Sequence, residues 1–251
     1  METIDKALQL LKKLAETPLS VTEAAELLDM HKSSASRMLA TLQKQGFVML
    51  NSNRRYEIGL TVFQLAEATT EWQNLRRTAE PYLQSLNQTL DETIHLSVLE
   101  GVDVIYIDKI DSSRRIRMHS TIGAANPAYC TGVGKVLLAY QSPQEQHRLI
   151  SQIRFEPFTA ATIADAGRLD QELRTIRRTG IAFDFGEHDE LIHCVAAPVF
   201  NHTRKIIASV SISAPQFVTP ADKLRSYQDI LLQTVRTISG RLGYSGRIPP
   251  D

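Results

Sequence analysis

Apolar residues return every three or four positions over Thr3–Glu16, where Ile4, Ala7, Leu8, Leu11 and Leu14 would share one buried helical face. Pro18 favours a break after it. Ser20 and Glu23 form a capping box, each side chain satisfying a free amide at a helix start. The helix they open carries Ala24, Ala25, Leu27 and Leu28. A third helix is predicted over Lys32–Gln45, with Ala35, Met38, Leu39 and Leu42 facing inward and Gly46 ending it. Phe47–Leu50 and Tyr56–Ile58 are short apolar-rich runs joined by the polar residues Asn51–Arg55, the signature of a β-hairpin. Leu60–Trp72 reads as one more helix, bearing Phe63, Leu65, Ala66 and Ala68.

The pattern changes near residue 75. Helices are predicted over Pro81–Leu90, Thr131–Tyr140, Pro143–Ile150, Asp165–Thr179 and Pro220–Leu242. Alternating runs predict strands over His95–Leu99, Val102–Ile110, Arg115–Ser120, Ile181–Phe185, Cys194–Phe200 and Ile206–Ser213. Strands interleaved with helices in this way point to an α/β domain with a mostly antiparallel sheet. The chain shows no internal repeat.

Composition narrows the classes. Hydrophobic residues make up 43% and charged residues 22% of 251 residues, which excludes a disordered tail. No apolar run approaches the roughly 20 residues of a membrane span, and the amphipathic start lacks the order of a signal peptide. Cys130 and Cys194 cannot build a disulfide framework. A cytoplasmic protein without membrane association is expected.

The 28 basic side chains balance the 28 acidic ones, so bulk charge cannot coat nucleic acid. The balance is local, however. Residues 31–55 hold Lys32, Arg37, Lys44, Arg54 and Arg55 and no acid, leaving 23 basic against 28 acidic groups elsewhere. Helix, helix, helix, hairpin with a basic third helix suits a winged helix-turn-helix, whose second motif helix enters the major groove of double-stranded DNA. With its apolar residues buried, that helix offers Lys32, Ser33, Ser34, Ser36, Arg37, Thr41 and Lys44. Small hydroxyls at its start permit close approach, and its free amides attract phosphate. Arg37 is the candidate base reader, since a guanidinium fits guanine bidentately. Asn53, Arg54 and Arg55 at the hairpin tip would lie along the backbone or minor groove.

These residues resemble the IclR family of bacterial transcriptional regulators. The likeness rests on Lys32–Leu42, Gly46–Val48 and Tyr56–Leu60 in the first part, then on Asn126–Ala139, Ile192–Phe200 and Ser209–Ser213 in order. It spans about residues 4 to 244. Glu92–Leu96, Tyr106–Asp111, Arg117 and Met118 further resemble the KdgR-like branch, which senses sugar acids. The resemblance implies an α+β chain. A winged helix-turn-helix domain would occupy residues 1–60, a linker helix 61–75, and a GAF-like effector-binding domain 76–251. It also implies homodimers or homotetramers on palindromic operators, with repression the commoner role. His31 stands where the family often has Asn or Ser, a better helix cap worth roughly 1 kcal/mol.

By the same resemblance, Gly132, Val133, Asp184, Ile192, Cys194, Ser211 and Ser213 line an effector pocket. Their chemistry is coherent. Amides at a helix start hold a carboxylate, and serines two apart on a strand share a face. Asp184 could accept ligand hydroxyls. A small hydroxylated acid is therefore expected: an aldonate or a keto-deoxy sugar acid. Arg117 and His119 would add positive charge there.

Other signals are weaker. Gly132–Lys135 hints at a phosphate loop, but Tyr129 and Val136 occupy positions where that motif needs Gly and Ser or Thr. Asp184, His188, His193 and Cys194 could make a metal site, yet strand neighbours 193 and 194 face opposite ways. No metal and no cofactor is expected. Cys194 beside a histidine leaves a cysteine hydrolase as one alternative. A winged helix used as a protein-interaction module is the other. An enzyme is not expected.

Overall fold

The computed structural model describes residues 2–67, 70–115, 118 and 120–249. The chain forms two compact units, Met1–Gln73 and Asn74–Asp251.

The first unit opens with α1 (Glu2–Leu14), α2 (Val21–Leu27) and α3 (Lys32–Lys44), followed by β1 (Val48–Leu50), β2 (Tyr56–Ile58) and α4 (Leu60–Glu67). The capping box forms: Ser20 Oγ accepts from the Glu23 amide, and the Glu23 carboxylate accepts from the Ser20 amide. His31 precedes α3 without a side-chain cap. Strands β1 and β2 pair antiparallel, Val48 opposite Ile58.

The core holds Leu10, Leu14, Leu19, Ala24, Leu28, Met38, Leu39 and Val48. This corrects the face predicted for α1. Leu10 and Leu14 enter the core, while Ile4 and Leu8 are 67% and 54% exposed. Leu27 is also partly exposed. The helix carries two apolar stripes, and only one finds a partner within the unit. On α4, Leu60, Phe63 and Leu65 are exposed too.

The second unit takes in most of α5 (Thr70–Leu90). It continues through β3 (Thr93–Glu100), β4 (Asp103–Ile110), β5 (Ala125–Pro127), a 3-10 turn (Ala128–Cys130), α6 (Gly132–Ala139) and α7 (Pro143–Gln152). Then come α8 (Ala166–Thr179), β6 (Ala182–Phe185), β7 (Ile192–Phe200), β8 (Ile206–Pro215), α9 (Ala221–Arg225) and α10 (Gln228–Arg241). Six strands form one antiparallel sheet in the order β5-β4-β3-β8-β7-β6. One core gathers α5, α9 and α10 on the sheet, and a second gathers α6, α7 and α8.

Several boundaries differ from the sequence reading. Pro81 lies inside α5 rather than at its start. Leu75, Ala79, Leu83 and Leu86 form one buried stripe through it, and that packing outweighs the single backbone bond a proline forfeits. The helix expected over Leu60–Trp72 is split between α4 and α5, with residues 68 and 69 outside the described set. The last helix breaks at Ser226 and Tyr227. Strand β5 was not predicted. Of the strand expected over Arg115–Ser120, the described residues 115, 118 and 120 are not extended ladder, and 116, 117 and 119 lie outside the described residues.

Two caps follow the rules of sequence. Asp165 caps α8 by accepting from the Arg168 amide, and Gly180 ends it at φ 74°. Two hairpin turns share one construction. Asn51 Oδ1 accepts from the amides of Asn53 and Arg55, and Arg54 has φ 58°. Asn201 Oδ1 accepts from the amides of Thr203 and Lys205, and Arg204 has φ 61°.

Candidate nucleic-acid interface and effector pocket

In the first unit, α3 presents Lys32, Ser33, Ser36, Arg37, Thr41 and Lys44 to solvent, with Ser34 half-buried. Asn53 and Arg54 are exposed at the hairpin tip. Lys32, Arg37, Lys44 and Arg54 have no ion-pair partner among the described residues. Two members of the expected set are engaged at home. Thr41 donates its hydroxyl to the Arg37 carbonyl. Arg55 donates to Glu23 at 2.7 Å and to the Pro18 carbonyl at 3.0 Å. Arg55, expected among the wing's DNA contacts, ties the hairpin to the start of α2 through its charge. The capping amide and Arg55 together lower the Glu23 pKa to about 2.

In the second unit, α6 begins directly over the sheet. A Cβ on Gly132 would lie 3.4 Å from that of Ala196 and 3.6 Å from that of Cys194. A Cβ on Gly134 would sit 2.3 Å from the Ala128 backbone, so this close approach demands glycine. The first amides of α6 have no side-chain cap, because Thr131 donates its hydroxyl back to Pro127.

Strand register lays the polar groups in rungs. Asp184, Cys194 and Ser213 stand opposite one another, as do Ala196, Ser211 and His95 on the neighbouring rung. Directly opposed residues share a face of the sheet. Above them is a cavity of about 640 Å³. Gly132, Val133, Asp184, Ile192, Cys194, Ser211 and Ser213 all line it. Tyr106, Met118, Ser120, Asn126, Phe158, Thr159 and His188 also line it, as do the acids Asp189 and Glu190. Arg117 and His119 lie outside the described residues.

The walls are held by buried polar contacts. Asp184 Oδ1 accepts from the Glu187 amide at 2.8 Å. Thr159 and Thr162 donate to the carbonyls of Gly186 and Glu187, both at 2.6 Å. Lys135 is 1% exposed and donates to Glu187 and to the Phe183 carbonyl. Its engagement there leaves no ammonium for a phosphate loop. On the far wall, Lys109 donates to the carbonyls of Met118 and Ser120 and pairs with Asp111.

Burial sets the charges. Desolvation, with the Glu187 carboxylate next, raises the Asp184 pKa to about 7. Desolvation and the Lys109 cation lower that of His95 to about 3, so its ring is neutral. Burial pushes the Cys194 thiol up and that of Cys130 to about 12. A thiol so disposed is a poor nucleophile. His193 lies against Phe185, across the sheet from the pocket side of Cys194. Among the described residues no group of three or more His, Cys, Asp or Glu could hold a metal ion, and no helix is long and apolar enough to cross a membrane.

Sequence reasoning missed Tyr106, Ser120, Asn126, Phe158 and Thr159 as lining residues. Tyr106 reaches the cavity from β4, and Asn126 from β5, which pairs with β4. Tyr106 and Asn126 do sit on predicted or adjacent extended runs, the one signal available.

A winged helix-turn-helix unit and an antiparallel sheet domain with a cavity over its sheet define a ligand-responsive DNA-binding regulator. A family model described as "IclR helix-turn-helix domain" matches residues 3–51, and "Bacterial transcriptional regulator IclR C-terminal" matches residues 67–240. The chain belongs to the IclR family of transcriptional regulators. It is 34% identical to the HTH-type transcriptional regulator KdgR of Dickeya chrysanthemi over 91% of this chain and 75% of that one. It is 33% identical to KdgR of Escherichia coli K12 over 91% and 88%. The crystal structure of Thermotoga maritima IclR matches with a TM-score of 0.79 and 31% identity, covering 96% of this chain and 99% of that one. These relatives are regulators rather than enzymes, which sets aside the hydrolase alternative.

Proposed function

We propose that this regulator is a cytoplasmic repressor whose operator affinity is set by a small hydroxylated carboxylate of the sugar-acid class, an aldonate or a keto-deoxy derivative. The observation that carries the reading is the cavity over β6, β7 and β8. The start of α6, which has no side-chain cap, lines it together with the hydroxyls of Ser211 and Ser213 and with Asp184. Amides at a helix start suit a carboxylate, and the hydroxyls and Asp184 suit the polyol end. With its pKa raised to about 7, Asp184 is partly neutral near that pH, and in the neutral form it does not repel an anion and can donate to it. Kinship with the two KdgR regulators supports the same branch.

Lys32, Ser33, Ser34, Ser36, Arg37 and Lys44 would contact the operator from α3, and Asn53 and Arg54 from the wing. Residues 1–60 would read DNA, 61–75 would link, and 76–251 would bind effector. The exposed stripe of Ile4 and Leu8 on α1, with Leu60, Phe63 and Leu65 on α4, would be covered by a second copy. A dimer is the minimal assembly, and a tetramer would pair two. The effector acts by linkage: it shifts DNA affinity only by its own difference in affinity for two arrangements of the assembly.

The test is binding to the DNA upstream of its own gene, with and without a panel of sugar acids. Specific binding weakened or strengthened by one of them is expected. Response to aromatic or purely apolar ligands alone would reject the assignment.

A further inference from the structure

Behind the cavity wall, His95 meets three serine hydroxyls. Its Nε2 is 2.8 Å from Ser120 Oγ. Its Nδ1 is 3.3 Å from Ser213 Oγ and 3.5 Å from Ser211 Oγ, and those two oxygens are 3.3 Å apart. The Tyr106 ring stacks on the imidazole at 4.5 Å. The ring itself is 1% exposed and does not line the cavity, whereas all three serines do.

A neutral imidazole has one N–H and one lone pair. Both nitrogens have hydroxyl partners here, so either tautomer is satisfied. The two differ in where a spare hydroxyl proton is left. With Nδ1 protonated, the ring donates to the Ser211–Ser213 pair. One proton bonds serine to serine, and the other is free for a ligand. Nε2 then takes the Ser120 proton, and Ser120 offers the cavity only lone pairs. With Nε2 protonated the pattern inverts. Ser213 donates to Nδ1, Ser211 donates to Ser213, and the pair can only accept. Ser120 then has the free proton.

We propose that His95 is a positioning residue that sets the donor–acceptor polarity of the effector pocket through its tautomer. A carbonyl or carboxylate oxygen at the Ser211–Ser213 pair selects the Nδ1–H form. A ligand hydroxyl whose lone pairs are engaged elsewhere has only its proton to give the pair, and selects the Nε2–H form. One cavity thereby accepts a 2-oxo acid and the 2-hydroxy acid of the same chain length. The proposal rests on the reading of this cavity as an effector site.

The experiment uses the full chain with ¹⁵N-labelled histidine, titrated with a 2-hydroxy sugar acid and its 2-oxo counterpart. His95→Asn assigns the His95 signals among the seven histidines. The expected result is that the protonated and bare ¹⁵N resonances of His95 exchange places between the two complexes. Calorimetry adds a second measure. His95→Asn, whose amide can donate near the Nδ1 position, should shift the affinity ratio about tenfold toward the oxo acid, and His95→Gln the other way. The same tautomer in both complexes, or equal loss of both ligands in both variants, overturns the proposal and leaves the pocket reading intact. Failure of every acid to bind the unaltered protein overturns both. If the variants do not fold, the spectra of the unaltered protein decide, with the signals assigned by their shifts on ligand addition.

Discussion

The reading surface and the effector pocket use charge in opposite ways. On α3 and the wing, Lys32, Arg37, Lys44 and Arg54 are exposed and come from 23 consecutive residues. In and behind the pocket wall, Asp184, His95 and Lys135 are buried and come from three distant segments. An exposed cation keeps its charge and acts by displacing counterions. A buried group pays in desolvation, and its protonation becomes part of the design. A local surface can change by point substitution without disturbing the fold. A pocket lined from five strands and a helix start draws its residues from far apart along the chain.

Salt should separate the two most strongly. Operator binding should fall about a thousandfold between 50 and 200 mM salt, with a slope of roughly −0.9 per phosphate neutralised. Effector binding, measured by calorimetry over the same range, should change far less. Equal sensitivity would erase the distinction.

Packing comes next. Gly134→Ala should destabilise residues 74–251 by about 3 kcal/mol, the upper range for overpacking, because its Cβ meets backbone. Chemical denaturation followed by separate probes should find the 1–73 unit unaffected. Arg37→Ala should do the converse. It should weaken operator binding by about 2 kcal/mol, roughly thirtyfold, without moving the melting temperature or effector affinity.

The smallest effect is in pH. Folding raises the Asp184 pKa from 3.8 to about 7. The stability its neutral form contributes is complete below 3.8 and is lost as pH climbs to 7. Carboxylate binding should weaken above pH 7 by up to about tenfold per unit as Asp184 ionises beside the ligand. Asp184→Asn should flatten both profiles. Glu23 runs the other way: its stabilisation is present above 4.5 and fades as pH falls toward 2. A pH profile of effector binding that survives in Asp184→Asn would assign the titration elsewhere.

Much of this was legible where the cause is local. Ser20 with Glu23, Asp165, Gly180 and the Asn51 turn each declare a boundary through their own side chain or backbone freedom. The stretch without acids from 31 to 55 declares the reading surface. Causes that lie far along the chain were not legible. Nothing near α1 says that Leu10 rather than Ile4 meets Met38 and Leu39. Nothing near Pro81 says that the sheet will hold the helix through it. Arg55 looked free because its partner Glu23 is 32 residues away. His95 reads only as a strand residue, since Ser211 is 116 residues further on. The seven carried-over pocket residues came from likeness rather than from pattern, and their register shows why the likeness is physical.

The two asparagine turns lead somewhere else. Asn51–Arg55 and Asn201–Lys205 place an arginine in the left-handed region with the same four bonds to asparagine, two to its backbone and two to its Oδ1, one turn in the wing and one between β7 and β8. Five residues thus behave as an interchangeable part, indifferent to the domain that hosts it. Transplanting Asn201–Lys205 into the wing, which makes Ser52→His, Asn53→Thr and Arg55→Lys, should preserve the turn while loosening the bidentate tie to Glu23. Nature's spare copy offers protein engineers a wing whose turn folds as before and whose tip reads differently.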